Sequence, residues 1–386
     1  MIRYLTAGES HGPGLVCIVE GLPANVKVDL KRINHELHRR QQGYGRGRRQ
    51  QIEKDAVEVL SGIRFNKTLG SPVSFLLRNK DWKNWTDIMA IEQGMAKKVV
   101  TKPRPGHADL SGAMKYDFDD MRNVLERSSA RETAMRVACG ALVKELLYAF
   151  DIEIHSHVVE LGPIKVANSA KARNEKELNK IVDASPVRCI DKKSEKEIIN
   201  FIDQMKKEGD TAGGVIEVII RNVPPGLGSY VQWDRKLDAL FAQALMSIQA
   251  IKGVEVGLGF DTARTIGSRV HDEIFYNKKD HFHRKTNNSG GIEGGMSTGE
   301  DIILRLAMKP IPTLMKPLAS VDIKTKEAYT AHVERSDVTA VPACSVIAEA
   351  VVAPVIANAF LEKFGRDTID DIKNSYKNYL QRIKTM

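Results

Sequence analysis

The chain has 386 residues, 42% hydrophobic and 28% charged, which places it among soluble globular proteins with ample core, as two or three average domains or one large one. A formal charge of +9 favours acidic partners and leaves nucleic acid, a membrane surface and phosphorylated metabolites open. Cys17, Cys139, Cys189 and Cys344 are far apart, without a CxxC or Cys/His cluster; this argues against a zinc site and for small core residues in a reducing compartment.

Met1 leads directly into a strand-like Ile2-Arg3-Tyr4-Leu5 with no secretory signal, so a cytoplasmic protein is expected. A Gly-Glu-Ser-His11-Gly loop follows, then a strand over Gly14–Pro23 and a helix over Leu30–Gln41 with Leu30, Ile33 and Leu37 at helical spacing, stopped by Gly43. Ser129-Ala-Arg-Glu132 reads as a capping box opening a helix to Phe150, whose Ala134, Ala138, Gly140 and Ala141 allow close approach. The charged segment 167–210 reads as a solvated insertion, not a site, with a helix capped at Ser194. A strand over Gly214–Pro225, a helix over Leu237–Lys252 stopped by Gly253, and a strand over Ile302–Lys309 come next. Val341–Leu361 is apolar for long enough to span a membrane, but Glu349, Pro354 and Asn358 favour a helix buried on every side. The tail, 366–386, reads as an amphipathic surface helix with Ile369, Ile372, Tyr376, Leu380 and Ile383.

The chain resembles itself. Residues 57–73 align without gaps to 254–270, with eight of seventeen positions identical. The strand and helix upstream agree, so a strand–helix–strand unit is present twice, related by pseudo-twofold duplication. The expected organisation is one domain over 1–386, with halves near 1–150 and 211–362 and a ligand cleft between them.

Four loops can carry chemistry. Arg39 to Arg49 packs arginines among glycines, suited to carboxylate or phosphate; metabolite binding, RNA binding and a solvated charged loop all remain open. Arg127-Ser-Ser-Ala-Arg-Glu132 offers serine hydroxyls and amides at a helix start. Asn287–Gly299 is too glycine-rich for an ordinary loop and is not a dinucleotide fingerprint; its backbone is expected to lie flat against something such as a ring system. His11 and His107 each sit in a Gly turn near Arg or Asp, and Arg335-Ser-Asp337 precedes the apolar helix.

Gly8-Glu-Ser-His-Gly12, Gly43-Tyr-Gly-Arg-Gly-Arg48, Arg104-Pro-Gly-His-Ala-Asp109, Arg127-Ser-Ser-Ala-Arg-Glu-Thr133, Gly290-Gly-Ile-Glu-Gly-Gly295 and Arg335-Ser-Asp337 together resemble the chorismate synthase family, in order and over nearly the whole chain. The resemblance implies an α+β sandwich of long central helices between two four-stranded antiparallel sheets, assembled as a homotetramer. It implies a carbon–oxygen lyase of the shikimate pathway that eliminates phosphate and a C6 proton from 5-enolpyruvylshikimate 3-phosphate, anti and 1,4, to give chorismate. Reduced FMN is required, and no flavin-reductase segment is visible, so an external source of reduced flavin is expected. Substrate and flavin together carry about six negative charges near neutral pH, which an arginine-rich cleft must match.

By the same resemblance His11, His107 and Asp337 are catalytic: one histidine protonates or binds the departing phosphate, the other steadies the reduced flavin, and Asp337 assists removal of the C6 proton at flavin N5. Ser10, Arg40, Arg46, Arg49, Arg104, Arg131 and Arg335 would bind substrate. Arg127, Ser128, Ser129, Gln249, Ala250, Gly294, Lys309, Pro310, Ile311, Pro312, Thr313 and Arg335 would bind FMN, and Arg40 and Arg46 match an NADPH contact. No metal is implied. RNA binding through the Arg39–Arg49 loop and a flavin oxidoreductase are the alternatives.

Overall fold

Residues 14–20 alternate apolar and exposed positions, with Leu15, Cys17 and Val19 buried and Val16, Ile18 and Glu20 outward, the period of a strand covered on one face. The structure, a computed structural model, describes residues 1–47, 54–92, 97–279, 281–332 and 336–386. Strands β1 (Arg3–Ala7), β2 (Gly14–Glu20), β3 (Glu58–Ser61) and β4 (Val73–Arg78) form an antiparallel sheet in the order β1-β2-β4-β3. A second sheet contains β5 (Glu153–Leu161), β6 (Ile164–Lys165), β7 (Gly214–Arg221), β8 (Ile251–Val256) and β9 (Ile302–Met308), in the order β8-β9-β7-β5-β6. It has five strands, not the expected four, because a turn at Gly162 folds Ile164–Lys165 back on the end of β5.

The helices are α1 (Leu30–Gln41), α2 (Asp109–Tyr116), α3 (Arg122–Ser128), α4 (Thr133–Tyr148), α5 (Leu178–Asp183), α6 (Lys192–Glu208), α7 (Leu237–Met246), α8 (Val341–Phe364) and α9 (Ile369–Lys384), with shorter turns between them. Helix α4 packs on β1, β2 and β4, α8 packs on β5 and β7, and α4 and α8 pack on each other. A Cβ on Gly140 of α4 would collide with the backbone of Ala350 in α8, so the small-residue face permits the expected close approach. Among the described residues α8 alone is long and apolar enough to cross a membrane, and 83% of its apolar window is buried inside the fold.

Several boundaries differ from expectation. Helix α7 ends at Met246 because Ala250 takes a positive φ of 69° and β8 begins at Ile251; Gly253 lies at a bulge in β8 and does not stop the helix. Ser129 caps a short turn at Arg131 N, but Glu132 does not close the capping box; its carboxylate instead takes Thr6 and Gln249. Asp191, not Ser194, caps α6 by accepting the Ser194 N–H at 2.7 Å. Segment 167–210 is not simply solvated: Ala172, Leu178 and Val182 cover Ile219 and Ile303 on the outer face of the second sheet.

One fully buried acid crosses the helical layer. Glu349 of α8 takes a two-pronged contact from Arg39 (2.9 and 3.0 Å), Lys144 at 2.7 Å and Ser156 at 2.7 Å. Lys144 also donates to Glu36 at 2.7 Å, and Arg39 to Asp183 at 2.7 Å. Burial alone would raise the Glu349 carboxyl, but Arg39 and Lys144 hold it well below the ordinary carboxylate range. Its stabilising effect is therefore present above the unfolded carboxylate pKa and is lost as pH falls. Glu349→Gln leaves three buried cations, Arg39, Lys144 and Arg188, undercompensated, so urea unfolding at pH 7 should show a loss of about 3–5 kcal/mol; a change below about 1 kcal/mol would contradict this account.

Candidate active site

Arg39 and Arg40 stand one residue apart at the end of α1, so their side chains leave the helix in different directions. Arg39 serves the buried network. Arg40 donates to Thr133 Oγ1 at 2.9 Å, to the Ala130 carbonyl at 3.1 Å and to Asp55 at 3.5 Å. Arg131 holds both Asp55 oxygens at 2.8 Å and Asn79 Oδ1 at 3.1 and 3.0 Å. A single buried carboxylate thus sits between two guanidinium groups. Burial pushes Arg40 down to about 9, which leaves it cationic at neutral pH.

Asn79 extends this cluster to the first histidine loop. Its amide donates to the carbonyls of Glu9, Ser10 and Gly12 at 3.1, 3.3 and 2.9 Å. Ser10 Oγ lies 3.2 Å from Ser129 Oγ. His11 Nδ1 lies 2.9 Å from Glu126 Oε1, and its ring stacks on Trp85 with centroids 3.8 Å apart.

The second motif is equally compact. Arg104 grips buried Asp109 through Nε at 2.8 Å and Nη2 at 3.0 Å, and reaches Thr313 Oγ1 through Nη1 at 3.0 Å. His107 Nδ1 lies 2.6 Å from Asp109 Oδ1, with Arg104 Nη2 3.2 Å from each ring nitrogen. Thr313 then lines a cavity of about 660 Å³ with Arg46 and Asp337, which pair at 3.1 Å. The Gly47 N–H donates to Asp337 at 2.6 Å, and the Val338 N–H to the Gly45 carbonyl at 2.9 Å, tying the basic loop to the entry of α8. The far wall comes from α6, where Ile202, Asp203 and Lys206 line the cavity and Asp203 accepts from Tyr44 at 2.9 Å. The charged insertion therefore borders the candidate site that it was expected to avoid.

The flavin candidates form a strip beside these clusters. Arg127 donates to the carbonyls of Gly8 at 3.1 Å and Thr6 at 2.8 Å. Gln249 donates to Glu132 at 3.1 Å, Ala250 accepts from the Lys309 N–H at 2.9 Å, and Lys309 Nζ donates to the Gly106 carbonyl beside His107. Ile311 accepts from Thr211 at 2.8 Å, while Pro310 and Pro312 neighbour Gly213 and Gly106. Ser129 is spent on capping Arg131 at 3.3 Å. Ser128 Oγ and Gln249 Oε1 are buried polar atoms with no hydrogen-bond partner among the described residues, as expected of groups that meet a polar ligand. In this respect the residues present fit a flavin.

Gly294 comes from a different element. It turns the short hairpin Ile292–Glu293/Met296–Ser297 beside Tyr230, and Gly295 accepts from Leu237 at the start of α7, whereas Gln249 follows its end. Two of the five glycines of 287–299 face the chain's own backbone, since a Cβ on Gly290 would meet Gly257 and one on Gly291 would meet Asp301, while Gly294 has room. Arg49 and Arg335, with Arg48, lie outside the described residues. The alternative of RNA binding through Arg39–Arg49 is not favoured, since Arg39 and Arg40 at the base of the loop are buried and ion-paired. Asp55, Asn79, Trp85 and Glu126 were not singled out from sequence; each is an isolated residue whose partner is remote in the chain. Asp109 was visible inside its motif, but nothing there gave it a role.

Burial opposes ionisation of Asp109, yet the His107 and Arg104 contacts hold its carboxyl well below the usual range. A depressed acid contributes stability above its unfolded pKa, near 3.9, that is lost as pH falls through the folded value. Asp109→Asn should reduce the difference in unfolding free energy between pH 7 and pH 3 by roughly 1–3 kcal/mol in urea titrations. A variant whose stability falls as steeply with acid as the unmodified chain would contradict the pairing.

The chain is similar to known proteins over nearly its whole length. The family profile described as chorismate synthase matches residues 2–361. The chorismate synthase of Alkaliphilus metalliredigens is 58% identical over 98% of this chain and 99% of its own length. That of Bacillus pumilus is 54% identical over 98% and 99%. A solved structure titled as the crystal structure of chorismate synthase superimposes with a TM-score of 0.82 at 43% identity, covering 100% of this chain and 99% of its own. The chain belongs to the chorismate synthase family.

Proposed function

We propose that the cationic clusters around the cavity carry out the family's lyase reaction with the residues singled out above. The observation that carries this reading is the shared wall: Arg46, Asp337 and Thr313 line one cavity, and Thr313 is held by the arginine that also contacts His107. Chorismate synthase activity removes phosphate and the C6 proton of 5-enolpyruvylshikimate 3-phosphate, leaving the conjugated diene of chorismate. Arg40, Arg46, Arg104 and Arg131, with Ser10, are proposed to bind the carboxylates and phosphate, and Arg49 and Arg335 are assigned to the same role. Their planar forks match those groups in pairs of hydrogen bonds. One of His11 and His107 gives a proton to, or binds, the phosphate as the C–O bond breaks. The other balances charge beside the cofactor, and Asp337 assists removal of the C6 proton.

Reduced FMN, when bound, supplies electron density that eases departure of phosphate without net redox change. Arg127, Ser128, Ser129, Gln249, Ala250 and 309–313 would hold it, supported by the two orphan polar atoms; Gly294 is assigned to it by family resemblance. Arg40 and Arg46 are assigned an NADPH contact by family resemblance alone, and reduced flavin is proposed to come from another protein or the medium.

The finer architecture is also proposed. With the hairpin strand β6 set aside, the strands of each sheet, numbered in chain order, run first, second, fourth, third, with a helix between second and third; this supports duplicated halves around a helical layer in one domain. The outward pair Leu5 and Ile18 on the first sheet is an apolar face that a second copy would cover in a homotetramer. A cytoplasmic location fits a soluble biosynthetic enzyme whose apolar helix is interior.

Anaerobic protein, reduced FMN and the enolpyruvyl substrate should release chorismate and phosphate in equal amounts; no product would remove the reading. His11→Ala or His107→Ala should lower turnover by roughly 10²–10⁴. A loss under about threefold would return that histidine to a purely structural part.

A further inference from the structure

The His11 loop and α3 meet through one side chain. The Glu126 carboxylate accepts the His11 backbone N–H through Oε2 at 2.8 Å, while Oε1 lies 2.9 Å from His11 Nδ1. The backbone carbonyl of the same residue accepts the Ser10 N–H at 3.0 Å. Glu126 is itself buried, and Arg122 one turn earlier donates to Oε1 at 3.2 Å. Trp85 closes the ring face at an interplanar angle of 23°, with its indole N–H on Asp81 at 2.9 Å. Arg122 and Lys98 lie over the Trp85 ring, at 5.3 and 4.0 Å from its centroid.

A carboxylate can only accept, so Nδ1 must carry the proton in the neutral ring and Nε2 the lone pair. Burial works against ionisation of Glu126, but its hydrogen bond and charge contact with His11 outweigh that and keep it an anion. The same carboxylate fixes the loop backbone, the ring rotation and the tautomer, three conditions that a proton-transferring imidazole needs together.

We propose that Glu126 is a positioning residue for the elimination, holding His11 with Nδ1 protonated so that Nε2 is the nitrogen that exchanges a proton with the substrate. Trp85 is the second element of the device and sets the plane in which Nε2 lies. This inference rests on the proposed catalytic role of His11.

Glutamine keeps the shape but offers one acceptor oxygen where two are used, and it has no charge. Glu126→Gln should lower kcat tenfold or more, with KM for substrate within about twofold. The same change in a His11→Ala background should cost less than twofold further, because its target is gone. Nitrogen-15 NMR of histidine-labelled unmodified protein should show His11 protonated at Nδ1 in the neutral ring. A His11 ring protonated at Nε2 in the unmodified protein overturns the proposal without any variant. It is equally overturned if Glu126→Gln retains kcat within twofold, or if the substitution costs as much without His11 as with it. Full activity in His11→Ala alone would instead remove the role of His11, a different failure from an active Glu126→Gln beside an inactive His11→Ala.

Discussion

Positive charge collected inside a protein must be balanced before any ligand arrives, and here buried carboxylates do the balancing. An uncompensated ion in the interior costs several kcal/mol, and this chain sets Arg40, Arg104, Arg131 and two histidines in carboxylate-bearing clusters, with Arg46 on the wall of a cavity. Asp55 serves Arg40 and Arg131, Asp109 serves Arg104 and His107, Glu126 serves His11 and Arg122, and Asp337 serves Arg46. Asp55 meets two guanidinium groups with a single negative charge, so that cluster keeps a net positive charge, as the proposed binding of an anionic substrate requires.

The helical layer makes that arrangement rigid. Successive arginines of α1 divide the labour: Arg39 anchors the helix to Glu349 of α8, and Arg40 is thereby presented to Asp55 on the other side. The two networks share a helix but no acid. The pose of α1 therefore links the network that holds α4 and α8 together to the cluster proposed to bind substrate, while their charges are kept apart. The entry to α8 carries Asp337, so the helix that fills the core also delivers a candidate catalytic group.

Local pattern made much of this legible. The limits of α1 were readable from Leu30, Ile33 and Leu37 and from the glycine that follows, and the histidine and arginine motifs pointed to one family. What failed was decided by distant contacts. Apolar spacing continues through Ile248, so α7 looked longer than it is; only the positive φ of Ala250 reveals the turn into β8. The insertion looked solvated because its charges dominate its composition, yet a few apolar residues cover a sheet and α6 lines the cavity. Asp55 and Glu126 lie 76 and 115 residues from their partners Arg131 and His11, and no spacing rule connects such pairs. The family motifs supplied the cations together with Asp109 and Asp337, and only the three-dimensional structure supplied Asp55 and Glu126.

The central claim is that motifs from both ends of the chain close on one polyanionic ligand set. Hydrogen exchange of the anaerobic enzyme, with and without the phosphorylated substrate and reduced FMN together, tests it most directly. The account predicts concerted protection of 43–47, 104–109, 309–313 and 336–338. Protection confined to one of these segments, or centred on the outer face of the second sheet, would contradict it.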